Sequence, residues 1–198
     1  MRTMSYSVYM FAELSDSAKA AAIEANRDIN TDYDWWDGVY CDATTIAELF
    51  GLEIDRIFFS GFWSQGDGAR FTGTYRYKKG ALKAVKAYAP LDTELHGIVE
   101  RLQAAQSRRF YGLVATTETS GRYEHSGCMS VDVDVYDPDR FGVVDDQSEQ
   151  DIKDNLRWFA DWIYSRLEED YRYRTGDEAV IESLICSECE FYENGGIV

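Results

Sequence analysis

Imidazole is scarce in this chain: His96 and His125 are the only histidines in 198 residues. His96 falls in an apolar helical pattern and His125 in a polar loop beside Ser126, with no nucleophile elbow or triad order around either. Nucleophilic catalysis therefore has little to draw on. Four cysteines, Cys41, Cys128, Cys186 and Cys189, lack the dense spacing of a secreted disulfide scaffold. No apolar run is long enough to span a membrane, and no basic-then-apolar leader ends in a small-residue cleavage site. These absences read as a reducing, cytoplasmic protein with no membrane partner. No internal repeat and no low-complexity linker divides the sequence, so residues 1–198 read as one domain.

Basic residues are also few, 20 against 36 acidic ones, for a net charge of -16. A field of that sign repels phosphate backbones and favours basic partners, so direct nucleic-acid binding is not expected. With 45% hydrophobic and 15% aromatic residues the chain still buries enough surface to fold, which places the charge on the outside of a globular body. The distribution is uneven. Residues 13–55 carry -9, residues 56–131 carry +5 and residues 132–193 carry -13, two acidic lobes around a mildly basic middle.

What is present spells an α+β fold. Glu53 to Tyr77 is an antiparallel hairpin: a β-branched and aromatic arm, turn formers at Ser64 to Gly68, then Phe71, Gly73, Tyr75 and Tyr77 alternating with Arg70, Thr72, Thr74 and Arg76. Phe110 to Thr119 and Cys128 to Tyr136 form a second strand pair, and Ser5 to Phe11 a first strand. Helices are predicted from Ser15, as cap, to Ile29, over Thr44 to Leu52, from Gly80 to Tyr88, from Thr93 to Gln106, from Ser148 to Tyr171 and from Asp177 onward. Pro90 separates two of them. The aromatic-acidic run Asp32 to Asp42 reads either as a short helix with Trp36 and Tyr40 inward or as an exposed recognition patch. The expected architecture is an antiparallel sheet of four to five strands with helices mainly on one face.

Several side-chain groups invite chemistry. The Ser64 to Gly68 turn could bind an anion through backbone amides, but it is not a Walker loop, and turn geometry with Gln65 and Asp67 capping local backbone groups explains it more simply. Asp132, Asp134, Asp137 and Asp139 suggest a hard cation, yet the calcium-loop pattern is missing and a solvated acidic face is the simpler reading. His125 and Cys128 could join Cys186 and Cys189 in a zinc site, although Cys186 and Cys189 lie in a helical pattern rather than on a knuckle. No metal, cofactor or catalytic residue is assigned.

The core Phe59-Ser60-Gly61-Phe62-Trp63-Ser64-Gln65-Gly66-Asp67-Gly68, preceded by Trp35-Trp36 and followed by a Ser-Gly-Arg-Tyr loop and an Asp-Glu-Ala-Val-Ile-Glu helix, resembles a family of uncharacterised phage and mobile-element proteins, some labelled antitoxins of toxin–antitoxin stability systems. The resemblance spans most of the chain and implies a mobile-element origin. Together with the acidic lobes it gives the functional expectation: a binding protein in the host bacterial cytoplasm that inhibits a nucleic-acid-binding defence complex, of anti-CRISPR or antirestriction type, by DNA mimicry. The expected partner-binding carboxylates are Asp132, Asp134, Asp145, Asp146, Glu149, Asp151, Glu168, Glu169 and Asp170, with Trp35, Trp36 and Trp63 as aromatic anchors and Gln65 and Asp67 in the turn between strands. The partner is the basic surface of a host-defence or toxin protein. An antitoxin burying a mixed interface is the alternative, and a metal-dependent hydrolase a second one.

Overall fold

Alternation along the hairpin builds half of a four-stranded antiparallel sheet. The computed structural model describes residues 1–2 and 5–198. They divide into two compact units, Gly38–Glu168 and Met1–Asp37 with Glu169–Val198.

The larger unit holds the sheet. Strands β2 (Leu52–Phe59), β3 (Ala69–Arg76), β4 (Leu113–Thr119) and β5 (Met129–Val135) lie in that order, each antiparallel to the next; β1 (Tyr9–Met10) belongs to the smaller unit. Register places Tyr75 opposite Leu52 and Ala115, and Thr117 opposite Gly73 and Val131. These register partners share one face, where Leu52, Phe71, Tyr75, Ala115, Val131 and Val135 are buried. Gly73 is needed there because a Cβ would stand 2.2 Å from the carbonyl oxygen of Glu53 on the neighbouring strand.

Within this unit, helices cover that face. In chain order, α1 (Asp16–Ala25) belongs to the smaller unit, and α2 (Asp37–Phe50), α3 (Ala81–Tyr88), α4 (Thr93–Arg108) and the short α5 (Pro138–Phe141) precede the long α6 (Asp146–Arg174). Phe159 of α6 is the hub. Its ring meets Phe50 edge-on at 5.0 Å and Phe71 at 5.9 Å, and stacks on Trp162 at 5.4 Å. Burial of each such ring contributes about 1.5–3 kcal/mol. Asp92 caps α4 through the Leu95 N–H and also accepts from Trp162 Nε1 at 2.8 Å, fixing α4 against α6. The buried Gln106 side chain exchanges two hydrogen bonds with the Leu113 backbone, which ties the end of α4 to the start of β4.

The smaller unit pairs α1 (Asp16–Ala25) with α7 (Asp177–Cys186) around Phe11, Leu14, Ala18, Ala22, Val180, Leu184 and Phe191. Ser15 caps α1 through the Ala18 N–H, as its sequence predicts. A two-residue ribbon of β1 (Tyr9–Met10) and β6 (Glu190–Phe191) completes this unit.

The α+β class and the one-sided helical layer agree with the sequence. Several elements differ in detail; α1, for one, stops at Ala25 rather than running on to Ile29. The first strand is confined to Tyr9–Met10 and turns into a 3-10 segment at Phe11, because Phe11 is drawn into the core while Ser5 to Val8 stay exposed. The two helices expected on either side of Asp42-Ala43 are one, since nothing there interrupts the backbone ladder. Phe110 is not in a strand: Phe110 and Tyr111 both take left-handed backbone (φ 51° and 63°) after α4, and β4 begins at Leu113. Glu190–Phe191 was not expected as a strand; two residues carry no period to read. Among the described residues no helix is long and apolar enough to cross a membrane.

Candidate partner-binding site

The sheet face opposite the helices stays open to solvent, and β5 is its edge. Asp132 and Asp134, expected to share a face, do so: both are exposed, opposite Thr116 and Val114 of β4. Glu118 lies on the same face, opposite Ser130, and Glu53 opposite Thr74. Asp132, Asp134 and Glu118 enter no ion pair among the described residues. Asp134 only accepts the N–H of Val135, at 2.7 Å. This row of carboxylates is turned to solvent without a paired cation among the described residues.

The other expected carboxylates differ in that respect. Asp145 caps α6, accepting the Ser148 N–H at 2.9 Å, and faces Arg109 at 3.7 Å. The Ser148 backbone and hydroxyl bonds, helped by Arg109, hold its carboxyl below the usual range. Asp151 pairs with Arg108, and Glu149 with Lys153 at 2.5 Å one helical turn on. Asp146 is exposed in the first turn of α6. In the smaller unit Asp170 pairs with Arg174 at 2.7 Å. Glu169 is exposed and Glu168 half-buried, each with contacts inside the fold. Arg108 and Arg109, far from these carboxylates in sequence, thus neutralise part of what reads as a continuous acidic lobe.

Trp35 is not an available anchor. It is 5% exposed, its ring edge-on to Trp36 at 5.8 Å and tilted against Tyr171 at 5.5 Å. A bulky ring beside Tyr171 of α6 is worth more buried than wet. Trp36 and Tyr40, expected inward, are half-buried. Of the three expected anchors Trp63 is the exposed one, at 75%. It is edge-on to Phe62, which packs with Phe59 at 4.9 Å and with Tyr164 of α6 at 5.5 Å. An aromatic stem rooted on α6 therefore holds Trp63 at the tip between β2 and β3.

That tip is locked to a second loop. Asp67 accepts the Ser64 N–H at 2.7 Å and the Ser60 hydroxyl at 3.2 Å, so the chain's own carboxylate fills the turn proposed for an external anion. Gln65 is exposed beside it. A Cβ on Gly66 would lie 2.4 Å from the Tyr123 ring, and one on Gly68 would lie 2.5 Å from His125 Cβ. The glycines are there for close approach of residues 120–128 as much as for the turn. Beneath the contact Arg70, 6% exposed, stands 2.5 Å from Glu124 and donates to the carbonyls of Ser120 and Cys128. Arg70 Nε and Glu124 Oε2 are not aligned as a hydrogen bond, so charge rather than directionality holds that contact. His125 accepts the Gly127 N–H on Nδ1, which leaves its Nε2 proton facing the Cys128 sulfur at 3.7 Å. In that tautomer it is not set to take a proton from the thiol. His96 is likewise engaged, Nε2 to the Ala89 carbonyl at 2.8 Å.

Among the described residues no group of three or more His, Cys, Asp or Glu side chains is gathered to hold a metal, and the four cysteines are free thiols. No curated protein and no solved structure matches the chain. One family model does match, over residues 35–177, a span that takes in the four-stranded sheet, the Trp63 tip and the whole of α6. The chain belongs to the family described as a domain of unknown function, DUF8835.

Proposed function

We propose that this chain is a non-enzymatic binding protein of phage or mobile-element origin. Its open, acidic sheet face occupies a basic groove on a host-defence effector and keeps nucleic acid out of it. The observation that carries this reading is the row Asp132, Asp134 and Glu118, exposed on one face and paired with no cation of the chain among the described residues. Asp132 and Asp134 are two residues apart on one strand, about 7 Å, a separation of the same order as successive phosphates. Uncompensated carboxylates held by a rigid sheet meet a cationic groove without first giving up internal partners. The carboxylates already paired with Arg108, Arg109, Lys153 and Arg174 contribute less, because binding through them exchanges one ion pair for another.

The test is a triple charge reversal, Asp132→Lys with Asp134→Lys and Glu118→Lys. All three positions are exposed, so the fold is expected to survive, checked by circular dichroism. Capture of the effector from a bacterial host extract is expected to be lost. Undiminished capture by the reversed protein refutes the reading.

Trp63 favours a second reading, the antitoxin. An exposed tryptophan on an aromatic stem suits an apolar hot spot on a toxin. Under that reading Trp63→Ala abolishes the complex while the triple reversal leaves it intact, and added salt does not dissociate it.

A further inference from the structure

At the end of the sheet away from Trp63, a cleft of about 260 Å³ is lined by Arg76, Tyr77, Tyr111, Leu113, Val114 and Tyr136. Three of its walls are tyrosine rings. Tyr77 and Tyr111 lie 4.2 Å apart between centroids, tilted by 34°. Backbone hydrogen bonds fix the frame: Arg76 N–H to Gly51, Tyr111 N–H to Gln106 and Tyr136 N–H to Gly112.

The conformation that puts Tyr111 there is an unfavourable one. Helices commonly end on a left-handed residue, usually glycine, whereas here Phe110 and Tyr111 both adopt it and Gly112 follows. Both are exposed, Phe110 at 78%, so burial does not offset the cost. Strain of this kind persists where a side chain is wanted at that place. The remaining wall is cationic. Arg76 is exposed and enters no ion pair among the described residues, and Lys78 lines the adjoining cleft that shares Arg76 and Tyr77. Glu48 and Glu53 line that adjoining cleft but not this one.

We propose that this cleft binds a small molecule made of one planar ring joined to an anionic group, the ring against Tyr77, Tyr111 and Tyr136 and the anion on Arg76. Its volume suits a single ring system and falls short of the usual range for a drug-sized ligand. Flat aromatic walls stack on rings of any heteroatom pattern, and a guanidinium gives a planar, two-pronged contact to carboxylate or phosphate. None of Asp132, Asp134 and Glu118 lines the cleft, although Asp134 is paired across the strands with Val114, one of its walls.

Two ring–anion probes, adenosine 5′-monophosphate and indole-3-acetate, are titrated by NMR against the intact chain. Adenosine, indole and inorganic phosphate serve as the separated parts. At least one ring–anion probe is expected to saturate and to bind about tenfold more tightly than its neutral counterpart. The Arg76→Ala variant, changed at an exposed position, is expected to remove that difference, and Tyr136→Ala to weaken both members of the pair. Failure of both ring–anion probes to saturate overturns the proposal. So does an affinity that Arg76→Ala leaves unchanged.

Discussion

Replacing Gly68 by alanine should unlatch the loop of residues 120–128 from the hairpin tip. An added Cβ would lie 2.5 Å from His125 Cβ, 2.7 Å from His125 Cα and 2.9 Å from the Glu124 carbonyl oxygen. Carbon atoms settle at about 3.5–4.0 Å, so relief needs a shift near 1 Å. The atoms met are backbone and Cβ, which no rotamer change moves, so the whole segment must retreat. Overpacking of this kind costs about 1–3 kcal/mol. Retreat also draws Glu124 away from the buried Arg70, and stripping a buried ion of its partner costs about 3–5 kcal/mol. Glu124 is 28% exposed, and an open loop admits water to Arg70, so little of that cost is incurred and the overpacking sets the scale. The expected loss is about 2 kcal/mol in urea denaturation, with an unchanged slope. Hydrogen exchange localises it: the Ser120 N–H, bonded to the Cys128 carbonyl, and the Cys128 N–H, bonded to that of His125, should exchange faster. Gly38→Ala is the control, because a Cβ there meets nothing within 4 Å in a helix, and it should gain up to about 1 kcal/mol. A Gly68→Ala protein within about 0.5 kcal/mol of wild type, with unaltered exchange at Ser120 and Cys128, refutes the interlock.

Three further outcomes follow from the same packing. Phe110→Gly relieves a left-handed aromatic residue at an exposed site and should raise stability by about 1 kcal/mol in urea denaturation. Phe159→Ala removes the ring that joins α2, β3 and α6, and should cost about 3–5 kcal/mol, read from the same curves. Asp145→Ala removes the cap of α6. Because the Asp145 carboxyl is held below its ordinary value in the fold, its stabilisation is present above the usual carboxylate range and is lost as pH falls through the folded value. Wild-type and variant melting temperatures should therefore differ at neutral pH and converge in acid.

Periodic features were legible in the sequence and pairwise ones were not. The alternation from Phe71 to Tyr77 and from Met129 to Val135 gave the sheet and its buried face, and the three- and four-residue spacing of Ile152 to Leu167 gave the helix laid on it, because both periods are local. The same alternation placed Asp132 and Asp134 together on the open face. Which carboxylates keep their charge was hidden, because Arg108 and Arg109 reach Asp151 and Asp145 only through the packing of α4 against α6. The choice between Trp35 and Trp36 as the buried ring was hidden for a like reason: it depends on Tyr171, far along the chain. Gly66 and Gly68 read as turn residues, and their second role against Tyr123 and His125 needed the fold. The Phe110-Tyr111 pair reads as strand by composition; its left-handed backbone is set by the helix that ends before it.

The most direct measurement is the salt dependence of effector capture, with wild type and the Asp132, Asp134 and Glu118 reversal compared side by side. Charges at the surface act over about 10 Å in 0.1 M salt and about 3 Å in 1 M. A complex made by the open sheet face should form with wild type at low salt, weaken steeply as salt rises, and be missing for the reversed protein throughout. Capture that persists at high salt and is equal for the two proteins would contradict it.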